Sequence, residues 1–192
     1  MYEVFKQYIK DKVSITDEEF ALIQSLGTLK KLQKKQFLLH EGMVWKYNAF
    51  VCKGCLRTYR IDDKGNEHIL QFSIENWWAG DRESLITGNP AQSNIEALED
   101  SVILLFTQEQ FATICKEIPA FNSMVINILE KSFIAAQNRI HASISYSTEE
   151  KYQNFLHSYP GIANRVPQHM IASYLGVTAE TLSRLRNQAT KK

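Results

Sequence analysis

The sequence predicts an α+β chain in which a β-rich region, one long helix and a compact helical pair follow one another. Three observations predict it. Short apolar runs alternate with turn signals over residues 28–106. A helical pattern then runs from Pro119 to about Ser145. The stretch VPQHMIASYLGVTAETLSRLRNQ finally reads as helix, tight turn, helix.

Residues 2–26 read as helical, with Thr16 and Glu19 at capping-box spacing ahead of Phe20, Ile23 and Leu26. The strands that follow are separated by His40-Glu41-Gly42, Lys53-Gly54, Asp62-Asp63-Lys64-Gly65-Asn66 and Thr87-Gly88-Asn89-Pro90. Their spacing suggests a β-sandwich or roll. The clearest hairpin is LRTYRI–DDKGN–EHILQF, with Gly65 and Asn66 expected to supply positive φ. Thr107 and Gln110 form a second capping box, and Ser147 and Glu150 a third. Tyr159-Pro160-Gly161 ends the helix that the third one opens. No internal repeat or low-complexity segment interrupts this order.

The 192 residues accommodate one large domain or two small ones, and 44% hydrophobic with 22% charged residues is the balance of a soluble globular protein. No apolar run approaches the ~20 residues of a membrane span. MYEVFKQYIK carries no signal-peptide core. A cytoplasmic location without membrane contact is expected. Residues 1–130 carry a net charge of −4 and residues 131–192 a net charge of +5. A basic C-terminal part is the footprint of contact with phosphate backbone, although an excess this modest also arises by chance.

The long helix carries two apolar stripes. Phe121, Val125, Ile128, Ser132, Ala135 and Ala142 form one, and Ile126, Leu129, Phe133, Ala136 and Ile140 the other. Two apolar faces imply two contacts, the chain's own β-region and a second subunit. The first stripe, with its small residues, is assigned to the subunit contact. A core helix of one larger domain is the alternative.

In the C-terminal pair, Pro167 starts a helix expected to bury Met170, Ile171 and Leu175, with Ala172 small enough for a close crossing. Gly176 makes the left-handed turn, Val177 fills the space beneath it and Thr178 caps the next helix. Leu182 and Leu185 face inward. Ala179, Glu180, Ser183, Arg184 and Asn187 remain outside. Arg184 suits guanine O6/N7, Glu180 suits cytosine N4, and Ser183 is a flexible partner. Thr181, Arg165, His169, Ser173, Arg186, Lys191 and Lys192 are candidates for phosphate contacts. An ordinary helical hairpin with a solvated face is the competing reading.

IASYLGVTAETLSRLRNQ, FVCKGCLRTYRIDDKGNEHILQF and LITGNPAQSNIEALEDSVILLF together resemble the Crp/Fnr family of bacterial transcription regulators. The resemblance implies a double-stranded β-helix or jelly-roll sensor of cyclic-nucleotide-binding type over 1–118. It implies a dimerisation helix over 119–145 and a winged helix-turn-helix over 146–192. It further implies a homodimer on palindromic double-stranded DNA and contact with RNA polymerase. The family's recognition pattern, Glu, three residues, Arg, falls on Glu180 and Arg184. Ser183 resembles the Fnr-like variant and implies TTGA-like half-sites.

The effector region departs from that resemblance. Gly80-Asp81, or Asp81-Arg82 without gaps, stands where nucleotide binders carry Gly-Glu. The phosphate-gripping Arg falls on Ala91, or on Gln92 if the alignment slips by one. Neither makes a bidentate contact to a phosphodiester. Trp77, Trp78 and Ser93 complete the candidate pocket, with the tryptophans either stacking a ligand or filling core. A cyclic nucleotide is therefore disfavoured, and no cofactor is predicted. Cys52-Lys53-Gly54-Cys55 has metal or redox spacing but lacks a second pair, and Cys115 reads as packing, so structural cysteines are favoured.

The function expected is a DNA-binding regulator rather than an enzyme. A sensor acting by protein contact is the alternative, and a thiol oxidoreductase using Cys52 and Cys55 ranks last.

Overall fold

The computed structural model describes residues 1–189, so Lys191 and Lys192 lie outside the described residues. Two helices, α1 (Tyr2–Lys10) and α2 (Asp17–Leu26), lead into β1 (Thr28–Leu32), β2 (Phe37–Leu39), β3 (Tyr47–Lys53), β4 (Leu56–Ile61), β5 (Glu67–Ser73) and β6 (Trp78–Ala79). Then come α3 (Arg82–Thr87), β7 (Asn94–Ala97), β8 (Ser101–Thr107), α4 (Gln108–Glu117) and α5 (Pro119–Ser145). The chain continues through α6 (Thr148–Ser158), a 3-10 turn (Ile162–Asn164), α7 (Gln168–Leu175) and α8 (Ala179–Ala189). All three capping boxes form, at Thr16–Glu19, Thr107–Gln110 and Ser147–Glu150. The first splits the predicted 2–26 helix into two.

The strands make two antiparallel sheets, ordered β1-β8-β3-β6 and β2-β7-β4-β5. The two-residue period of a strand assigns each side chain to one of three cores. Phe50, Cys52, Leu104 and Phe106 face outward from the first sheet and pack against Phe5, Ile9, Phe20, Ile114 and Phe121. The alternate residues Ala49, Val51, Ile103 and Leu105 face the roll interior, where they meet Leu56, Ile95 and Ala97 of the second sheet. Cys55, Tyr59, Ile69 and Phe72 form the outer face of the second sheet. That face is covered by the C-terminal helices.

The β4–β5 hairpin corrects one expectation. Gly65 takes positive φ, but Asn66 does not. The Asn66 amide nitrogen instead donates to both oxygens of the Asp62 carboxylate, at 3.2 and 3.0 Å.

Pro119 sits in the first turn of α5, where a missing N–H is harmless. Phe121 and Met124 are fully buried against the sensor region, and Val125 and Ile128 pack beside them. Phe121 is thus unavailable to a second subunit, which corrects its place in the first stripe. Residues 131–141 are exposed throughout. Ile126, Phe133 and Ile140 lie in solvent at seven-residue intervals, so the open apolar seam is the second stripe. The described residues from 146 onward contain no strand, and the wing implied by the resemblance is not among them.

Candidate nucleic-acid interface

The turn between α7 and α8 forms as its residues dictate. Gly176 has φ 68°, a left-handed conformation that glycine reaches without steric penalty. The Val177 N–H returns to the Ala172 carbonyl at 3.0 Å and closes α7. The Thr178 hydroxyl accepts the Thr181 N–H at 3.2 Å and lies 3.0 Å from the Thr181 hydroxyl, so both threonines serve the cap of α8. Ile171, Ala172 and Leu182 are fully buried, whereas Met170, Leu175 and Leu185 are half-buried.

This packing leaves Ala179, Glu180, Ser183, Arg184 and Asn187 on the solvent side of α8. Hydrogen bonds from its own backbone N–H and from Thr178 hold the Glu180 carboxyl below its usual range, and the charge of Arg184 adds to them. Glu180 is therefore an ionised acceptor. Gln168, His169, Ala179, Ser183, Arg186 and Asn187 line a shallow groove between the start of α7 and α8. Gln168 was not anticipated, because its position is set by where α7 begins rather than by the exposed stripe of α8.

Two of the expected phosphate contacts face elsewhere. The Ser173 hydroxyl accepts the Ile69 N–H at 3.0 Å and donates to the Glu67 carbonyl at 2.8 Å, both on β5. The Arg165 guanidinium donates twice to Glu75, at 2.8 and 3.1 Å, and also to Glu99. These bonds keep Arg165 charged. Both side chains tie the helical head to the sensor sheet, which corrects their assignment to phosphate.

One buried cluster also crosses that boundary. Phe72 meets Phe155 and Tyr174 at ring distances of 6.3 and 5.7 Å, and Trp77 meets Tyr159 at 5.1 Å. A buried side chain of this size contributes about 1.5–3 kcal/mol. Ion pairs exposed to about the degree of Arg165, Glu75 and Glu99 contribute about 0.2–1 kcal/mol. Adhesion of the head is therefore mainly apolar, and the polar contacts supply direction.

The description of the cyclic nucleotide-binding domain matches residues 29–118, from β1 to the end of α4. The fumarate and nitrate reduction regulatory protein of Vibrio cholerae serotype O1 is 26% identical over 183 residues, which cover 88% of this chain and 72% of that protein. Regulatory protein HlyX of Actinobacillus pleuropneumoniae is 24% identical, covering 93% of this chain and 78% of its own length. The structure of FixK2 from Bradyrhizobium japonicum superposes with a TM-score of 0.73 at 19% identity, covering 86% of this chain and 85% of that one. The chain thus carries a cyclic nucleotide-binding domain and is similar along most of its length to transcription regulators of the Crp/Fnr type.

The residues of the candidate effector region do not converge on a ligand. Trp77 faces the head, while Trp78 packs against Phe5, Phe50 and Phe111 and donates from Nε1 to the Tyr8 hydroxyl at 3.1 Å. Gly80 approaches Trp45 so closely that a Cβ would lie 2.6 Å from its Nε1. Asp81 caps α3 by accepting the Ser84 N–H at 3.0 Å. Ala91 is buried in the roll core, and Ser93 is buried beside Arg60, whose Nε lies 3.4 Å from its hydroxyl. Arg82 and Gln92 are exposed. Trp77 and Trp78 are partly buried and pack against two different cores, so they take the core-filling role of the two open to them. No cation occupies the Ala91 position, so these residues do not fit a phosphodiester gripped in the manner of the nucleotide-binding members.

Cys52 packs under α1 and α2, whereas Cys55 faces the head, so the C-x-x-C pair is divided between two cores. Burial pushes their thiols up to about 11 and about 12. Among the described residues, no group of three His, Cys, Asp or Glu side chains is placed to hold a metal. No helix among them is long and apolar enough to cross a membrane.

Proposed function

We propose that the chain acts as a homodimer that reads a palindromic double-stranded site, with α8 of each subunit in a major groove. The observation that carries this reading is the division of α8 into two faces. Leu182 is buried against α7, and Glu180, Ser183, Arg184 and Asn187 stand together in solvent. Arg184 reads a guanine edge, Glu180 a cytosine amino group, and Ser183 an adjacent base. His169 and Arg186 flank that face and position it on the phosphates.

Pairing of α5 helices through Ile126, Phe133 and Ile140 places the two heads on one face of the duplex, with half-sites about 34–36 Å apart. The family relationship supports TTGA-like half-sites and a contact with RNA polymerase. It also supports a role without enzymatic chemistry. The sensor region responds to something other than a cyclic nucleotide, or to no small molecule.

The test is a binding series with a TTGA-N-TCAA-type palindrome and a scrambled duplex, over a range of salt, with and without cyclic AMP. Selective binding that weakens with salt and ignores cyclic AMP is expected. Tightening by cyclic AMP would overturn the effector reading. Failure to select any sequence would favour a sensor acting by protein contact.

A further inference from the structure

The apolar contact between head and sensor has no preferred direction, since burial of apolar surface is non-directional. Orientation must come from hydrogen bonds, and the densest set of these centres on Arg165. Arg165 lies in the connection just before α7 and engages two carboxylates carried by different loops. Glu75 follows β5, Glu99 precedes β8, and Glu75 is itself pinned by the Gly54 N–H at 2.7 Å. The planar guanidinium therefore fixes an angle as well as a distance.

Ser173 provides a second fixed point on β5. Arg139 of α5 provides a third. It donates to the carbonyls of Leu70 and Ile69 while lying 4.2 Å over the Tyr174 ring. Three points define how the head is turned.

The recognition face stays open while all three contacts are made, with Glu180, Ser183, Arg184 and Asn187 exposed. The clasp cannot act by covering that face. We infer that Arg165, held by Glu75 and Glu99, is a positioning residue that sets the half-site spacing the regulator accepts. The inference rests on the dimeric DNA-reading function proposed above. In such a dimer, heads of fixed aim match one separation of major grooves. Heads free to turn accept several separations, and each then loses orientational freedom on binding.

The test uses full-length protein and a set of duplexes whose two half-sites are separated by the best spacing or by one base pair more or less, plus a duplex with a single half-site. The wild type is expected to prefer one spacing sharply. The Glu75→Gln/Glu99→Gln double variant lies outside the DNA-reading head. It should bind the best duplex on the order of tenfold more weakly. It should also bind the three spacings nearly equally while keeping single half-site affinity. Arg165→Met should flatten the spacing profile in the same way, and Arg165→Lys should not restore it.

An unchanged profile in the double variant would overturn the inference, as would tighter binding, which would mark the clasp as inhibitory. Uniform weakening by Arg165→Met on every duplex, with the double variant unaffected, would make Arg165 a plain phosphate contact. A wild type that selects a palindrome but tolerates every spacing would overturn only this inference. A wild type that selects no sequence would overturn the proposed function with it.

Discussion

Trp77 and Trp78 are neighbours in sequence and belong to different cores. Trp77 packs on Tyr159 of the head, with ring centroids 5.1 Å apart, and Trp78 packs edge-on against Phe50 at 5.4 Å on the far side of the roll. One residue of strand-like alternation separates the region that holds the reading head from the region that holds the N-terminal helices. Trp78→Ala should therefore destabilise the whole sensor by about 3 kcal/mol. Trp77→Ala should cost less, about 1 kcal/mol, and should chiefly loosen the head. Urea unfolding followed by far-UV circular dichroism, with limited proteolysis near residue 146, separates the two effects.

If Arg184 contacts a guanine as proposed, Arg184→Ala should remove about 1–3 kcal/mol of discrimination at that base, leaving the protein folded because the side chain is exposed. Competition binding with single-base variants of the half-site measures the loss, and His169→Ala should instead weaken all sequences alike.

Phe133 is 64% exposed on α5 and sits between Ile126 and Ile140 in the open seam. Phe133→Glu should convert a dimer to monomer without unfolding it, as read by sedimentation equilibrium. Ser132 and Ala135 flank this seam, so Ala135→Ser should leave the association within about a factor of ten.

Glu75 gives the clasp a pH dependence. Burial opposes its ionisation, but hydrogen bonds from Arg165 and from the Gly54 N–H outweigh that effect and hold its carboxyl below the ordinary value of 4.5. A carboxylate depressed in the folded state stabilises that state above its unfolded value, and the contribution fades as pH falls through the folded one. Docking of the head should therefore be constant from neutral pH to about 5 and weaken below 4.5. Tryptophan fluorescence, through Trp77, should report this change, and Glu75→Gln should flatten it.

Much of this arrangement was legible in the residues. Capping boxes depend on contacts three residues apart, and all three formed. The Gly176 turn, the Thr178 cap and the exposed face of α8 follow from one helical repeat on each side of a glycine. What stayed hidden depends on contacts distant in sequence. Ser173 reads as a polar residue on a helix surface, and only its 104-residue separation from Ile69 explains why it is there. The same holds for Arg165, whose partners lie 90 and 66 residues away. The stripes of α5 were visible, but which one met the sensor depended on how Phe121 entered the core. Which core each tryptophan joins was not legible, because a two-residue strand such as β6 is too short to declare its faces.

The sheet edges carry a consequence for a shortened chain. A strand at the border of a sheet offers unpaired backbone groups to any other strand that approaches. The edge strands β2 and β6 are only 3 and 2 residues long, and β1 carries Lys30 and Lys31, whose charges discourage pairing. Strand β5 has neither protection. It runs for 7 residues, and its border groups are engaged by Ser173 of the head and Arg139 of α5. A fragment ending before α5 would present EHILQFS bare, with Ile69 and Phe72 uncovered beside it. Such a fragment should recruit further strands and precipitate, so the C-terminal helices also keep the β-region from self-association.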